Sequence, residues 1–304
     1  MNENPNFTRN LLIFIPIWLL ALGFTAYLRL KTPLTGSASS VHQAGPVLEK
    51  KKIPPPKEPK LAESIRQGEL IFNQTPKYAK EYVGNILSCT QCHLSGGRQE
   101  GILGLVNVAS QYPDEDPRAG KKITLAERIQ SCFLRSENGK APPTGGEIIK
   151  NLEVYIESLT DPDKTSTPWR NFETISEKNL IPIARLNPKE GHALYEKHCS
   201  ECHGSEGKPL NGIPPLWGND SFNDGAGLSR IYMLGSFVRD AMPLGAAGSL
   251  NDSEAQAIAA YIDAQTRPSF AGKEKDYPHS DVPVDAVYYP QRYPQNPLAA
   301  KLKE

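Results

Sequence analysis

The chain has 304 residues, room for two ordinary domains with additional segments, and its 38% hydrophobic and 22% charged content is that of globular protein, which excludes a disordered scaffold. Lys+Arg and Asp+Glu balance at 34 each, so no global basic field exists to hold nucleic acid, and an anion site must be a local cluster of cations. Five cysteines are an awkward number for a disulfide framework.

From Asn10 to Leu28 no charge interrupts an apolar run. A helix of about 19 residues rising ~1.5 Å each nearly matches the ~30 Å hydrocarbon core of a bilayer. Tyr27-Leu28-Arg29-Leu30-Lys31 follows, where a signal peptide would carry a small-x-small cleavage site, so an uncleaved anchor over 1–31 is expected. Residues 32–60 mix Ser, Gly and Lys with Pro54-Pro55-Pro56, a composition that cannot bury a core and reads as a tether.

Two similar segments come next, predicted as domains over 61–165 and 166–268 and separated by the turn-forming run from Leu159 to Pro168. Each opens on a helix-like stretch with Gly-x-x-x-aromatic, Gly68 to Phe72 and Gly191 to Tyr195, and proceeds to Cys-x-x-Cys-His. Each closes on an amphipathic helix: Gly146 to Leu159, with Ile149, Leu152, Tyr155 and Ile156 on one face, and Asp252 to Gln265, with Ile258, Tyr261 and Ile262. The final stretch, 269–304, is rich in Pro and Tyr, which discourages helix. Its aromatics favour irregular docking over disorder.

Four of the five cysteines lie in Cys89-Thr90-Gln91-Cys92-His93 and Cys199-Ser200-Glu201-Cys202-His203. In such a run the two thiols form thioethers with haem vinyl groups and the adjacent His sits under the iron, so two covalent c-type haems are expected. That attachment occurs outside the cytoplasm, which favours an N-terminus inside and a body on the periplasmic side of a bacterial inner membrane. The order helix, haem motif, loop, closing helix resembles small single-haem cytochrome c domains, and the resemblance implies an all-α fold.

Sixth ligands are approached by elimination. Met233 and Met242 are the only methionines after Met1. Met242 precedes Pro243 where cytochrome c domains of this type present their ligand, and is preferred for the second haem, while Met233 reads as core packing. The first segment has no Met and no His besides His93. Cys132, Lys140, a Tyr or a group from the other segment remain, with Cys132 the strongest donor to ferric iron. Cys132 also precedes Tyr155 by a spacing close to that by which Met242 precedes Tyr261. His192 and His198 lie too near His203 to reach the same iron and are read as packing or surface residues.

On a helix Arg128, Cys132 and Ser136 share one face, presenting a cation, a thiol and a hydroxyl together. The segment from Leu125 to Pro143 resembles the cysteine-ligand segment of the dihaem thiosulfate dehydrogenases. The likeness extends from about residue 62 to 280, through Gly212-Ile213-Pro214-Pro215-Leu216-Trp217-Gly218, Arg267-Pro268 and Lys275-Asp276-Tyr277-Pro278. It implies interconversion of thiosulfate and tetrathionate by a covalent route in which Cys132 leaves the iron and takes up sulfane sulfur, with electrons relayed from the first haem to the His/Met haem. It also implies an external electron carrier, such as a small cytochrome, and identifies Arg118 as a second anion-binding arginine; Arg98, Arg135 and Lys140 are weaker candidates. Some family members carry Lys directly before the methionine, a position held here by Ala241. Two other activities share these features: a tethered dihaem electron carrier, and a cytochrome that joins thiosulfate to a carrier-protein cysteine.

Overall fold

The structure is a computed structural model, and it describes residues 58–99, 101–162, 174–208 and 212–303. The expected anchor over 10–28 and nearly all of the tether lie outside these residues. Among the described residues no helix is long and apolar enough to cross a membrane.

Two helix pairs organise the rest. The first pair is α1 (Pro59–Asn73) and the closing helix α4 (Glu147–Glu157), with the short α2 (Thr75–Tyr78) and the helix α3 (Leu125–Arg135) between them in sequence. The second is α5 (Pro188–His198) and α8 (Asp252–Asp263), with α6 (Ser200–His203) and α7 (Ile231–Ala241) between. Helix α1 begins at Pro59, slightly inside the stretch assigned to the tether, because proline is well suited to the first turn of a helix. The fold is mostly helical, with one departure from the all-α expectation: Asp114–Asp116 (β1) and Lys121–Ile123 (β2) pair antiparallel in a small hairpin.

The repeat has a physical basis at the helix crossings. A Cβ on Gly68 would stand 2.0 Å from the Asn151 carbonyl oxygen, and one on Gly191 would stand 1.9 Å from that of Ala257. Only glycine lets the backbones approach so closely. Four residues on, Phe72 meets Tyr155 at 5.3 Å between ring centroids, and Tyr195 meets Tyr261 at 5.2 Å. The Gly-x-x-x-aromatic pattern therefore records a crossing followed by a tilted aromatic pair.

Each crossing seats its own core. Ile71, Phe72, Ile129, Phe133, Ile149, Leu152 and Tyr155 form the first, and Tyr195, Ile231, Leu234, Ile258 and Ile262 belong to the second. The second core also takes in Leu87 and Ile102, which flank the first Cys-x-x-Cys-His run. The C-terminal stretch packs as well. Tyr277, Val282, Ala286 and Tyr289 make a small cluster, and α9 (Pro297–Lys303) buries Leu298 against the second core. Arg267, buried over the Phe222 ring, bonds Asp263 at 2.8 Å and the Tyr288 hydroxyl at 3.0 Å, fixing the start of this stretch.

Candidate haem and substrate site

Cys89, Cys92 and His93 line an apolar cavity that opens to solvent. Phe72, Leu152 and Ile156 line it from the first core; Phe222, Leu228 and Met233 line it from the second half of the chain. Arg128, Ile129, Cys132 and Phe133 enter from α3, with Ser136 at its C-cap. The helix is set by a reciprocal cap, in which Glu127 N–H donates to Thr124 Oγ1 at 3.2 Å and Thr124 N–H donates to Glu127 Oε2 at 2.7 Å. The residues expected to share one face thus meet in one cavity.

The donor set fits a haem. His93 Nδ1 lies 2.8 Å from the Leu103 carbonyl oxygen, which fixes the ring and leaves Nε2 available to a metal. Burial pulls its pKa down to about 4, so the imidazole is neutral and competent to ligate. The second motif repeats the device: His203 Nδ1 lies 3.0 Å from the Pro214 carbonyl oxygen, within the Gly212–Gly218 stretch. A tyrosine hydroxyl also pins the backbone just behind each motif. Tyr155 donates to Gly96 O at 2.7 Å, and Tyr195 donates to Gly204 O at 2.6 Å.

Cys132 is in contact with a cation. Arg128 Nη1 lies 3.4 Å from its Sγ, and the guanidinium's pKa is raised first by that sulfur, against the cost of burial. Lys140, the rival ligand, is exposed and does not line the cavity. Of the weaker anion candidates, Arg98 donates to the Tyr155 hydroxyl at 2.8 Å, and Arg135 makes two 2.8 Å bonds to Asp276. Arg118 does not line the cavity. It sits in the β1–β2 turn with its guanidinium over Tyr277, 5.9 Å from the ring centroid, and close enough to Arg128 to oppose that residue's protonation.

Met242 caps the C-terminus of α7, half-buried against the second core. Met233 packs against the same core, as expected, but it also lines the first cavity, which a reading of each segment by itself does not foresee. His192 stacks on Tyr261 with ring centroids 4.8 Å apart, a packing role. Sequence reasoning missed Tyr112 and Glu137, which both line the cavity; burial pushes the Tyr112 hydroxyl up to about 12 and the Glu137 carboxyl well above its ordinary value. Tyr112 lies outside every motif, and Glu137 falls within the Leu125–Pro143 segment without being singled out there. The only sequence signal was Glu137's place directly after the Arg128–Cys132–Ser136 face.

A family model described as cytochrome c oxidase, cbb3-type, subunit III, matches residues 186–262, the second motif with its flanking helices. Thiosulfate dehydrogenase of Stutzerimonas stutzeri is 37% identical over 226 residues, covering 70% of this chain and 72% of the relative. That of Allochromatium vinosum is 34% identical over 224 residues, covering 69% of this chain and 80% of the relative. The structure of the "as isolated" form of thiosulfate dehydrogenase (TsdBA) from Marichromatium purpuratum superposes with a TM-score of 0.63 at 33% identity, covering 70% of this chain. This chain spans about half, 48%, of that longer polypeptide. The match over the second motif, joined to the paired Cys-x-x-Cys-His runs, makes this a protein of covalently bound haem c. With relatives 37% and 34% identical over alignments that cover 72% and 80% of their own length, the chain belongs to the thiosulfate dehydrogenase family.

Proposed function

We propose that this protein interconverts thiosulfate and tetrathionate at the Cys132 cavity and relays electrons through its second haem to an external carrier. The observation that carries the reading is the contact between Arg128 Nη1 and Cys132 Sγ, 3.4 Å apart in the cavity that His93 lines. Cys89, Cys92, His93 and Cys132 would hold the first haem; Cys199, Cys202, His203 and Met242 would hold the second. Bound there, the haems supply one-electron acceptors, the second at higher potential because thioether ligation raises it and thiolate ligation lowers it.

The protein's own groups account for the rest. Joining two thiosulfates forms one S–S bond and removes two electrons from two dianions, so the site must lower charge repulsion and hold one sulfur while the other arrives. Arg128 meets the first need, and Arg118 adds a second positive charge nearby. Cys132 meets the second: its sulfur bonds the sulfane sulfur of one thiosulfate with loss of two electrons, the second thiosulfate attacks that outer sulfur, and the Cys132 thiolate departs. The apolar walls exclude water and so strengthen each charge interaction. Ser136 supplies a hydroxyl to the same space. The expected setting is the periplasmic face of the inner membrane, held by residues 10–28.

The test is product analysis in both directions with purified holoprotein. Thiosulfate with a one-electron acceptor should yield tetrathionate in a 2:1 ratio, and tetrathionate with a reductant should return thiosulfate. Absence of both reactions would leave a tethered electron carrier; consumption of thiosulfate only when a protein thiol is supplied would point to sulfur transfer onto a carrier cysteine.

A further inference from the structure

Arg135, the last residue of α3, and Arg118, in the β1–β2 turn, both stand outside the cavity lining and are held differently, and one carboxylate lies by both. Asp276, in the C-terminal stretch, accepts from Arg135 Nη1 and Nη2 at 2.8 Å each. Arg135 also stacks on Phe270, 4.0 Å from the ring centroid, and its Nε donates to Ser131 Oγ at 3.2 Å. That guanidinium is fully engaged. The same carboxylate accepts from the Tyr289 hydroxyl at 2.6 Å and lies 4.0 Å from Arg118 Nε.

Arg118 is different. Its Nε is buried with no hydrogen-bond partner among the described residues. Its carbonyl accepts from Tyr277 N–H at 2.9 Å, and its own N–H donates to Asp116 Oδ1 at 2.8 Å, so its backbone is clamped while Nε keeps a donor unused. Two residues on, Gly120 takes φ +64°, and a Cβ there would lie 2.3 Å from Pro278 Cγ, so the turn and the C-terminal stretch fit only with glycine at this point.

We infer that Asp276 is a positioning residue for the anion site: it removes Arg135 from competition for substrate and fixes the Arg118 turn, so that Arg118 joins Arg128 in holding the thiosulfate dianion. The inference rests on the function proposed above. Its physical content is a sign. Were Asp276 only a negative charge near an anion site, removing it would strengthen the local positive field and tighten thiosulfate binding. If it positions Arg118, removing it frees the turn and weakens binding although the field has grown.

Asp276→Asn in the full-length holoprotein separates these alternatives. We expect KM for thiosulfate, and Kd by titration calorimetry with the ferric protein, to rise about tenfold, kcat to fall less than threefold, and both haem spectra to match wild type. A lower or unchanged KM, or equal loss of kcat with an altered spectrum of the first haem, overturns the inference while wild-type turnover leaves the function intact. Wild type that neither binds nor turns over thiosulfate defeats the function and this inference together. Should Asp276→Asn not yield holoprotein, Tyr289→Phe decides: it removes one bond to Asp276 and no charge, so KM should rise two- to threefold, and an unchanged KM overturns the positioning role.

Discussion

The first and second halves share a scaffold and differ in the helix that lies between the haem motif and the closing helix. In both, a glycine admits a helix crossing, an aromatic pair lies behind it, a tyrosine hydroxyl secures the chain after Cys-x-x-Cys-His, and a backbone carbonyl orients the histidine ring. That helix does not repeat. In the first half it is α3, which carries Arg128 and Cys132 with Ser136 at its C-cap; in the second it is α7, largely apolar before Arg239, with Met242 at its C-cap. The comparison teaches that the repeat preserves the crossing and the haem motif, while the helix between them is free to change its side chains. On the function proposed above, the charged, sulfur-bearing helix would serve bond making, and the thioether at the end of the more apolar one would serve electron passage.

The comparison is most exposed at the two distal sulfurs. Cys132→Gly should lower turnover in both directions by on the order of 10³-fold or more, as removal of a covalent catalyst does, with two haems per chain retained. Met242→Ala should change only the second haem's spectrum and potential, slow electron exit and leave the thiosulfate KM unchanged. Haem content, low-spin ferric signals and steady-state rates check the pair together. Equal effects of the two changes would erase the division of labour.

Next come the crossings. Gly68→Ala and Gly191→Ala each place a methyl at about half of van der Waals contact with a carbonyl oxygen, and each should destabilise its helix pair by roughly 3 kcal/mol, the upper part of the usual overpacking cost. Chemical denaturation of the holoprotein measures it. If only one substitution is costly, the halves are less alike than their geometry.

Arg128→Met comes third. It removes a charge-assisted contact worth ~1.5–3 kcal/mol, so kcat/KM for thiosulfate should fall about 10- to 100-fold while the second haem is untouched. A change of less than twofold would move anion binding elsewhere.

The smallest effect concerns the closing helices. Asp252, at the start of α8, is held below its ordinary value of 3.8 chiefly by the Arg239 hydrogen bond, with Asn179 adding to it; Glu147, at the start of α4, shows no such pairing among the described residues. A depressed carboxyl stabilises the fold above the ordinary pKa and loses that contribution as pH falls through the folded value. Wild type should therefore lose Tm more steeply than Asp252→Asn below about pH 4. Parallel curves would show that the pair contributes nothing.

Much of this arrangement was legible in the residues. The helices closing each half, the buried Ile149, Leu152 and Tyr155, and the gathering of Arg128, Cys132 and Ser136 in one cavity follow from a 3.6-residue period, which acts within a single element. What escaped sequence reasoning depends on residues far apart in the chain. Asp276 meets Arg135 across more than a hundred positions, Met233 reaches a cavity built by the other half, and Glu137 is buried in a segment that does not single it out. Local patterning specifies which face a side chain occupies, not which distant segment will cover it. The β1–β2 hairpin was missed for the opposite reason, since strands of three residues are too short for alternation to register.

Leu87 and Ile102, on either side of the first Cys-x-x-Cys-His run, are buried in the core of the second half, and Asn85 Nδ2 donates to the Ser221 carbonyl oxygen at 3.2 Å. A chain emerging from its N-terminus reaches Cys89 and Cys92 long before it reaches Ile231 or Ile258. Until then the first motif has only the packing of its own half, and Leu87 and Ile102 lack the core that covers them. A chain cut after the first half should therefore bare two apolar side chains on either side of its haem motif, and with them a sticky surface that the whole protein hides.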